Sequence, residues 1–282
     1  MSRMHDSNGF RPIAAVGALF LSTTATLADS APPSMTPTAQ DRSVSAFVIV
    51  PPCGPPSSLS DFDEATDFST FQSQADAVRT CTSAQGLASS GQYSEINPTQ
   101  ILAYVASCSS AAANPMTVIH AISSSSFEVE FTLGARARFL AEIALSIDSS
   151  SSIVYVNSLA QLKDAANAVV FSEGVALNGS AGSEDVKFEA TGVLEPGHYT
   201  IRAVASAIID HTIPPSGAGI STSLVDMLVT KPADFNLDGL VDGSDLGSLL
   251  GAWGPCAGCA EDLDGDGVVG GSDLGDLLGS WD

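Results

Sequence analysis

Phe127-Glu128-Val129-Glu130-Phe131-Thr132-Leu133 is the stretch that decides the fold. Apolar and polar residues alternate strictly. In an extended chain Phe127, Val129, Phe131 and Leu133 share one side, and Glu128, Glu130 and Thr132 share the other. The pattern recurs further along. Phe139, Ala141, Ile143, Leu145 and Ile147 repeat it, then Val186, Phe188 and Ala190, then Tyr199, Ile201, Ala203, Ala205 and Ala207. Ile153–Val156 and Ser223–Val229 are further strand candidates. Asp148–Ser152, Asn178–Ser183 and Pro214–Gly219 are rich in Gly, Ser, Asn and Pro and break the runs. Strands with one apolar face need an opposing layer to cover it. The expected fold is therefore mainly β, a two-sheet β-sandwich of jelly-roll type over residues 43–230.

Toward the N-terminus the pattern is weaker. Gln72–Thr82 suits a short helix or a strand, and Tyr93–Ser109 suits two strands. Small residues and few strong helix formers tip this region toward β. Ala31–Asp41 is rich in Pro, Ser and Thr, so residues 29–42 are expected to be a flexible lead-in. Leu194-Glu195-Pro196-Gly197-His198-Tyr199-Thr200-Ile201 predicts a type II turn at Pro196-Gly197. That run resembles the last hairpins of many secreted bacterial β-sandwich domains.

Residues 1–28 read as a signal peptide. Arg3 and Arg11 are basic, Pro12–Leu21 is a short apolar run, and Thr26-Leu27-Ala28 ends in small residues suited to cleavage after Ala28. The run is too short to cross a bilayer, which takes about 20 apolar residues. No later stretch is long enough either. A secreted protein, extracellular or at the cell surface, is expected. Export permits disulfides. Five cysteines are present, and an odd count leaves one over. Cys256 and Cys259 form a C-x-x-C. No second Cys/His pair lies near enough in sequence for zinc, and Glu261, Asp262 and Asp264 disfavour a reactive thiolate. A small structural disulfide is the expectation there. Pairing among Cys53, Cys81 and Cys108 stays open.

Charge narrows the partners. Lys and Arg number 10 against 32 Asp and Glu, a formal net charge of −22. Nucleic acid and anionic membranes need basic patches and are disfavoured. Hard divalent cations with oxygen ligands are favoured. Catalytic motifs are missing: there is no G-x-S-x-G, no H-E-x-x-H and no phosphate-binding glycine loop. His120, His198 and His211 have no nucleophile placed beside them by any motif. Glu128 and Glu130 lie on a polar strand face. Asp61-Phe62-Asp63-Glu64 with Asp67 reads as a charged loop. No catalytic residue is assigned.

The chain repeats itself at its end. Asp234-Phe-Asn-Leu-Asp-Gly-Leu-Val-Asp-Gly-Ser-Asp245 returns as Asp262-Leu-Asp-Gly-Asp-Gly-Val-Val-Gly-Gly-Ser-Asp273, an offset of 28 residues. Calcium takes six to eight oxygens at about 2.3–2.6 Å, and a twelve-residue loop with ligands at alternate positions can wrap one ion. In the first copy Asp234, Asn236 and Asp238 fill positions 1, 3 and 5. Gly239 allows the turn at position 6, Leu240 offers its carbonyl at 7, Asp242 acts through water at 9, and Asp245 closes at 12. The second copy offers Asp262, Asp264, Asp266, the carbonyl of Val268, and Asp273. Gly270 stands at its position 9, so comparable or weaker binding is expected there. Val241 and Val269 are expected to pair the loops as a short β-bridge. After each loop, Leu246, Leu249, Leu250 and Trp253, then Leu274, Leu277, Leu278 and Trp281, form helical apolar stripes expected to pack on each other.

Two such loops, each followed by one helix and joined by a linker, resemble the type I dockerin module; the resemblance covers Asp234–Asp282. It implies a dockerin-like calcium-binding module over residues 231–282, two bound Ca2+ ions, and a cohesin-like domain or cell-surface scaffold as partner. Loop positions 10 and 11, Gly243-Ser244 and Gly271-Ser272, are implied contact residues, and their identity permits two docking orientations. Gly247, Gly251, Gly275 and Gly279 in the helices, and the lack of basic contact residues, depart from the family's pattern. The functional expectation is a secreted non-enzymatic sandwich attached through this module. The alternative is a polysaccharide-active protein, a glycoside hydrolase or carbohydrate-binding domain; Tyr93, Tyr104 and Tyr155 are the few candidate stacking platforms before the module, with no Trp among them, which counts against sugar stacking.

Overall fold

In chain order the long strands are β1 (Met35–Ile49), β2 (Ser58–Glu64), β3 (Phe71–Thr80), β4 (Ala84–Ile96), β5 (Gln100–Ala113) and β6 (Ile119–Leu133). They continue with β7 (Ala137–Ser149), β8 (Val154–Asp164), β9 (Val169–Asn178), β10 (Gly182–Leu194), β11 (Gly197–His211) and β12 (Gly217–Thr230). Helix α1 (Gly243–Gly251), the two-residue strands β13 (Gly254–Pro255) and β14 (Val268–Val269), and helix α2 (Gly271–Gly279) complete the fold. The computed structural model describes residues 33–54, 58–81, 84–113, 118–211, 216–256 and 258–282. The expected signal segment, residues 1–28, lies outside them.

Two antiparallel sheets pack as a sandwich. One has the order β2-β1-β6-β11-β8-β9, the other β10-β7-β12-β5-β4-β3. The alternation seen in the sequence fixes which side faces in. Phe127, Val129, Phe131 and Leu133 on β6, and Phe139, Ala141, Ile143, Leu145 and Ile147 on β7, are buried in one core. Ala203, Ala205 and Ala207 on β11 join them. Phe188 was expected inside but is exposed, because β10 is the edge strand of its sheet.

Much of the interior is small and hydroxylic. Ser107 and Ser109 on β5 donate across the sandwich to the carbonyls of Ala205 (2.7 Å) and Ala207 (2.8 Å) on β11. Ser158 on β8 donates to Thr222 O on β12 at 2.6 Å, and Ser223 on β12 to Leu159 O on β8 at 3.1 Å. Such bonds satisfy these four hydroxyls and hold the sheets close. The approach is tight at Gly219, where a Cβ would stand 2.3 Å from Val154 Cγ1 and 2.7 Å from Val156 Cγ1.

Several expectations are corrected. Residues 35–42 are not a flexible lead-in but the start of β1, which pairs with β6 from Met35↔Leu133 onward and shifts register between Pro37 and Ala39, where proline has no N–H to give. Arg42 anchors this region. It is fully buried and donates to Ser69 O (2.9 Å), Ser94 Oγ (3.1 Å), Asp67 O and Gln40. Residues 72–80 are strand β3, so of the two possibilities there the β one, toward which the composition tipped, is the outcome; Ala75 and Ala77 face the core at period two. Residues 61–64 belong to edge strand β2 rather than a loop. Gly197 does not take positive φ; it opens β11, and the Tyr199 hydroxyl ties the corner by donating to Glu195 O at 2.8 Å.

Cys53 and Cys81 form a disulfide, as do Cys256 and Cys259, and Cys108 is free and buried. Burial pushes the Cys108 thiol up to about 11, so it stays protonated. Among the described residues no helix is long and apolar enough to cross a membrane.

Candidate functional site

The two repeats fold alike because most of their equivalent side chains take equivalent amides, the first ligand's second bond (Asp238 in one loop, Gly265 in the other) being the difference. In loop 1 the carboxylate of Asp234 accepts the amides of Asp238 (3.2 Å) and Gly239 (2.9 Å). Asp245 Oδ1 accepts from Phe235 (2.7 Å) and Asn236 (3.3 Å), and its Oδ2 from Asp242 (3.0 Å). In loop 2 Asp262 accepts from Gly265 and Gly267, both at 2.9 Å. Asp273 accepts from Leu263 (2.8 Å), Asp264 (3.3 Å) and Gly270 (2.7 Å). Positions 3 and 5 follow suit. Asn236 Oδ1 takes the Asp238 amide and Asp238 Oδ1 the Leu240 amide; Asp264 takes the Asp266 amide and Asp266 the Val268 amide. Each acidic side chain thereby curls its loop inward.

Backbone angles carry the same repeat. Gly239 and Gly267 at position 6 have φ of 89° and 87°, as the turn requires. Position 4 is also left-handed, at 76° in Gly265 and at 60° in Leu237. Leu237 is therefore strained where its counterpart is not. Sequence reasoning missed position 4; the Leu/Gly difference between copies is its only trace.

Position 8 behaves differently from expectation. Val241 and Val269 do not pair with each other. Val269 pairs with Gly254, just after α1, and Val241 exchanges bonds with Asp282, just after α2. Gly254 and Asp282 are themselves 28 residues apart, so each loop is clasped by the chain that leaves the other repeat's helix. Lys231 completes the second clasp, bonding Asp282 Oδ1 and Ser280 O. Burial raises the Asp282 carboxyl, but the Lys231 ammonium and the Val241 amide outweigh it and hold it below its ordinary value.

The helix stripes are only half used. Leu249 and Leu277 are buried with Val241, Val269 and Ala233, and Leu246 and Leu274 pack partly against them. Leu250, Leu278, Trp253 (50% exposed) and Trp281 (40% exposed) face outward. The helices span only Gly243–Gly251 and Gly271–Gly279, so Trp253 and Trp281 lie beyond their ends, and one leucine of each helix is fully buried. Ser244 and Ser272 are exposed at the helix starts. Asp242 caps α1, accepting from Ser244 N at 2.7 Å.

The donor set fits a hard cation. Asp234, Asp245, Asp262 and Asp273 are buried carboxylates. Asp262, Asp264 and Asp273 each offer an oxygen, all within 4.8 Å of one another. Oxygens on opposite sides of one calcium ion stand about 4.6–5.2 Å apart, so a single ion can touch all three. In loop 1 burial pushes Asp234 above the usual carboxylate range, and its neighbours Asp245 and Asp238 push it further, against the opposing pull of the Gly239 amide. A divalent charge relieves that repulsion. Burial likewise raises Asp273, but the amides of Gly270, Asp264 and Leu263 outweigh it, leaving it low and ionised.

Two arginines outside the repeats were not foreseen. Arg138 on β7 points away from the sandwich core yet is only 7% exposed, because the C-terminal repeats cover it. It donates to Pro232 O and Ala260 O, and its guanidinium lies 4.7 Å from the centre of the Phe235 ring. Arg136 donates to Leu263 O and pairs with Glu195 at 3.2 Å. Together with Gly192, Phe235 and Asp262 they line a cleft of about 560 Å³. The available signal was the A-R-A-R run at 135–138 in an otherwise acidic chain. The other polar candidates have ordinary partners. Glu128 pairs with Arg202 at 3.5 Å, and exposed His198 bonds Thr132 at 2.9 Å.

No family model matches the chain, and no curated protein matches it. Among solved structures it is similar to an arabinose-bound α-L-arabinofuranosidase, at 14% identity over 67% of this chain and 30% of that one, with a TM-score of 0.21. It is also similar to infectious bursal disease virus, Gx strain, at 10% identity over 70% of this chain and 57% of that one, with a TM-score of 0.21. A third is the isomalto-dextranase of Arthrobacter globiformis T6 with panose, at 11% identity over 65% and 30%, with a TM-score of 0.18. The chain spans less than two thirds of each of these structures, and likeness at such TM-scores carries no argument.

Proposed function

We propose that residues 231–282 form a dockerin-like module that binds two calcium ions and attaches a secreted, non-enzymatic β-sandwich to a partner at the cell exterior. One observation carries the reading: two loops 28 residues apart, with the same carboxylates taking the same amides. The expected ligands are Asp234, Asn236, Asp238, Asp242, Asp245 and the carbonyl of Leu240, then Asp262, Asp264, Asp266, Asp273 and the carbonyl of Val268. An ion there supplies charge neutralisation, and the chain's own part is to aim the oxygens and exclude water. The jelly-roll type belongs to the same reading; the chain crosses between the sheets at most connections after β5.

Ser244, Ser272 and the exposed Leu250, Trp253, Leu278 and Trp281 supply a surface repeated in both copies. Immobilised cohesin domains probed with the full chain test the partner. Capture in calcium, lost in EGTA and in a Ser244→Asp/Ser272→Asp variant, supports it; no capture in calcium overturns it.

A second reading, polysaccharide binding by the sandwich, is favoured by one feature. Tyr93 and Tyr104 stand directly opposite each other on β4 and β5, and Tyr104 is also opposite Leu224 on β12, all on the face turned away from the core. Retention of the full chain on insoluble polysaccharide, lost in Tyr104→Ala, supports that reading; no retention removes it.

A further inference from the structure

The module's nearest partner is its own sandwich. From the contacts of Arg136 and Arg138 we infer that occupation of loop 2 controls whether residues 231–282 stay docked on the β7–β10 edge. The inference rests on the calcium reading above.

The acceptors of the two arginines bracket the first ligand of loop 2. Arg138 holds Ala260 O and Arg136 holds Leu263 O, on either side of Asp262. Leu263 faces both ways, since its amide donates to Asp273 Oδ1 at 2.8 Å while its carbonyl takes Arg136. One residue, through its two flanking peptide groups, thus links the last ligand of the loop to the sandwich. The arrangement needs Asp262, Asp264 and Asp273 to converge, and three carboxylates with oxygens within 4.8 Å repel one another until a cation joins them. When loop 2 opens, the 260–263 carbonyls leave the arginines, and Arg138 loses an acceptor at a buried position. The anchor on the loop 1 side, Arg138 to Pro232 O and to the Phe235 ring, bonds no loop 2 ligand. Loop 2 is therefore the gate and loop 1 the hinge side.

Linkage then runs in reverse. If calcium favours the docked form, the docked form must favour calcium by the same factor. Sandwich residues that touch no ion set the affinity of loop 2.

The test uses the whole chain from residue 29. Small-angle scattering and limited proteolysis across 230–234 and 255–262 are run in calcium and in EGTA, with a calcium titration of each variant. Wild type is expected to expand and become cleavable in EGTA. Arg136→Gln, whose one contact with the module is Leu263 O, is expected to be partly open even in calcium, with the loop 2 event weakened about tenfold and the other nearly unchanged; Arg138→Gln, which also loses Pro232 O and the Phe235 ring, is expected to open further and to weaken both. Phe235→Ala, which leaves both arginines in place, is expected to loosen the hinge side and serves if Arg138→Gln fails to fold by circular dichroism. Two calcium events with affinities within twofold across the variants, and a radius and cleavage pattern indifferent to EGTA, overturn the inference while leaving the calcium reading intact. No calcium binding at all overturns both.

Discussion

Asp273→Asn is the substitution most directly weighed from the loop geometry. The native carboxylate takes three amides: Leu263 and Asp264 on Oδ1, and Gly270 on Oδ2. An asparagine keeps its oxygen for the first two. Its NH2 then faces the Gly270 N–H, donor against donor, at a position only 1% exposed. One charge-assisted bond is lost, worth about 1.5–3 kcal/mol, and the Gly270 amide is left unsatisfied. In calcium the unfolding of residues 231–282 should lose about 2–3 kcal/mol from these bonds, with the sandwich transition unmoved, and more because one carboxylate oxygen offered to the ion has gone as well. A weakening of the loop 2 event by at least about 100-fold corresponds to about 2.7 kcal/mol. Thermal melts in calcium, followed by the helical and strand signals, and a calcium titration read both numbers. Equal melting in calcium and two undiminished calcium events would refute the reasoning.

Other consequences follow from single positions. Leu237→Gly removes a side chain held at φ 60° and should stabilise the chelated module by about 1 kcal/mol, seen as a higher midpoint in EGTA. Gly219→Ala forces a methyl against Val154 and Val156 and should cost the sandwich about 1–3 kcal/mol in urea unfolding. Asp282, held below its ordinary value beside Lys231, stabilises the fold above the ordinary carboxylate range, and that contribution is lost as pH falls through its lowered value. Asp282→Asn should remove this acid dependence and lower the midpoint at pH 7, checked by melts at a series of pH values.

The long apolar alternations were legible because β6, β7, β11 and β12 bury one face of branched and aromatic residues. The lead-in was misread since Arg42, a charged residue, is what secures the start of β1, and buried arginine has no periodic signature. β4 was hard to place because Ser90, Gln92 and Ser94 point inward, so its polar residues occupy the side that usually marks the core. Phe188 shows the converse limit: alternation reports a face, but only the sheet order tells whether that face is covered. The two acidic loops were read from a repeat of side chains at fixed spacing. The clasps at Val241 and Val269, and the arginines behind Leu263 and Ala260, involve main-chain partners far along the sequence, which spacing cannot reveal.

Calorimetric calcium titration of the chain from residue 29, paired with melts in EGTA and in calcium, tests the central claim most directly. Two binding events are predicted, with a helical transition raised by about 2.7 kcal/mol for each ion present at a hundred times its dissociation constant. No heat of binding, and one midpoint shared by both conditions, would contradict it.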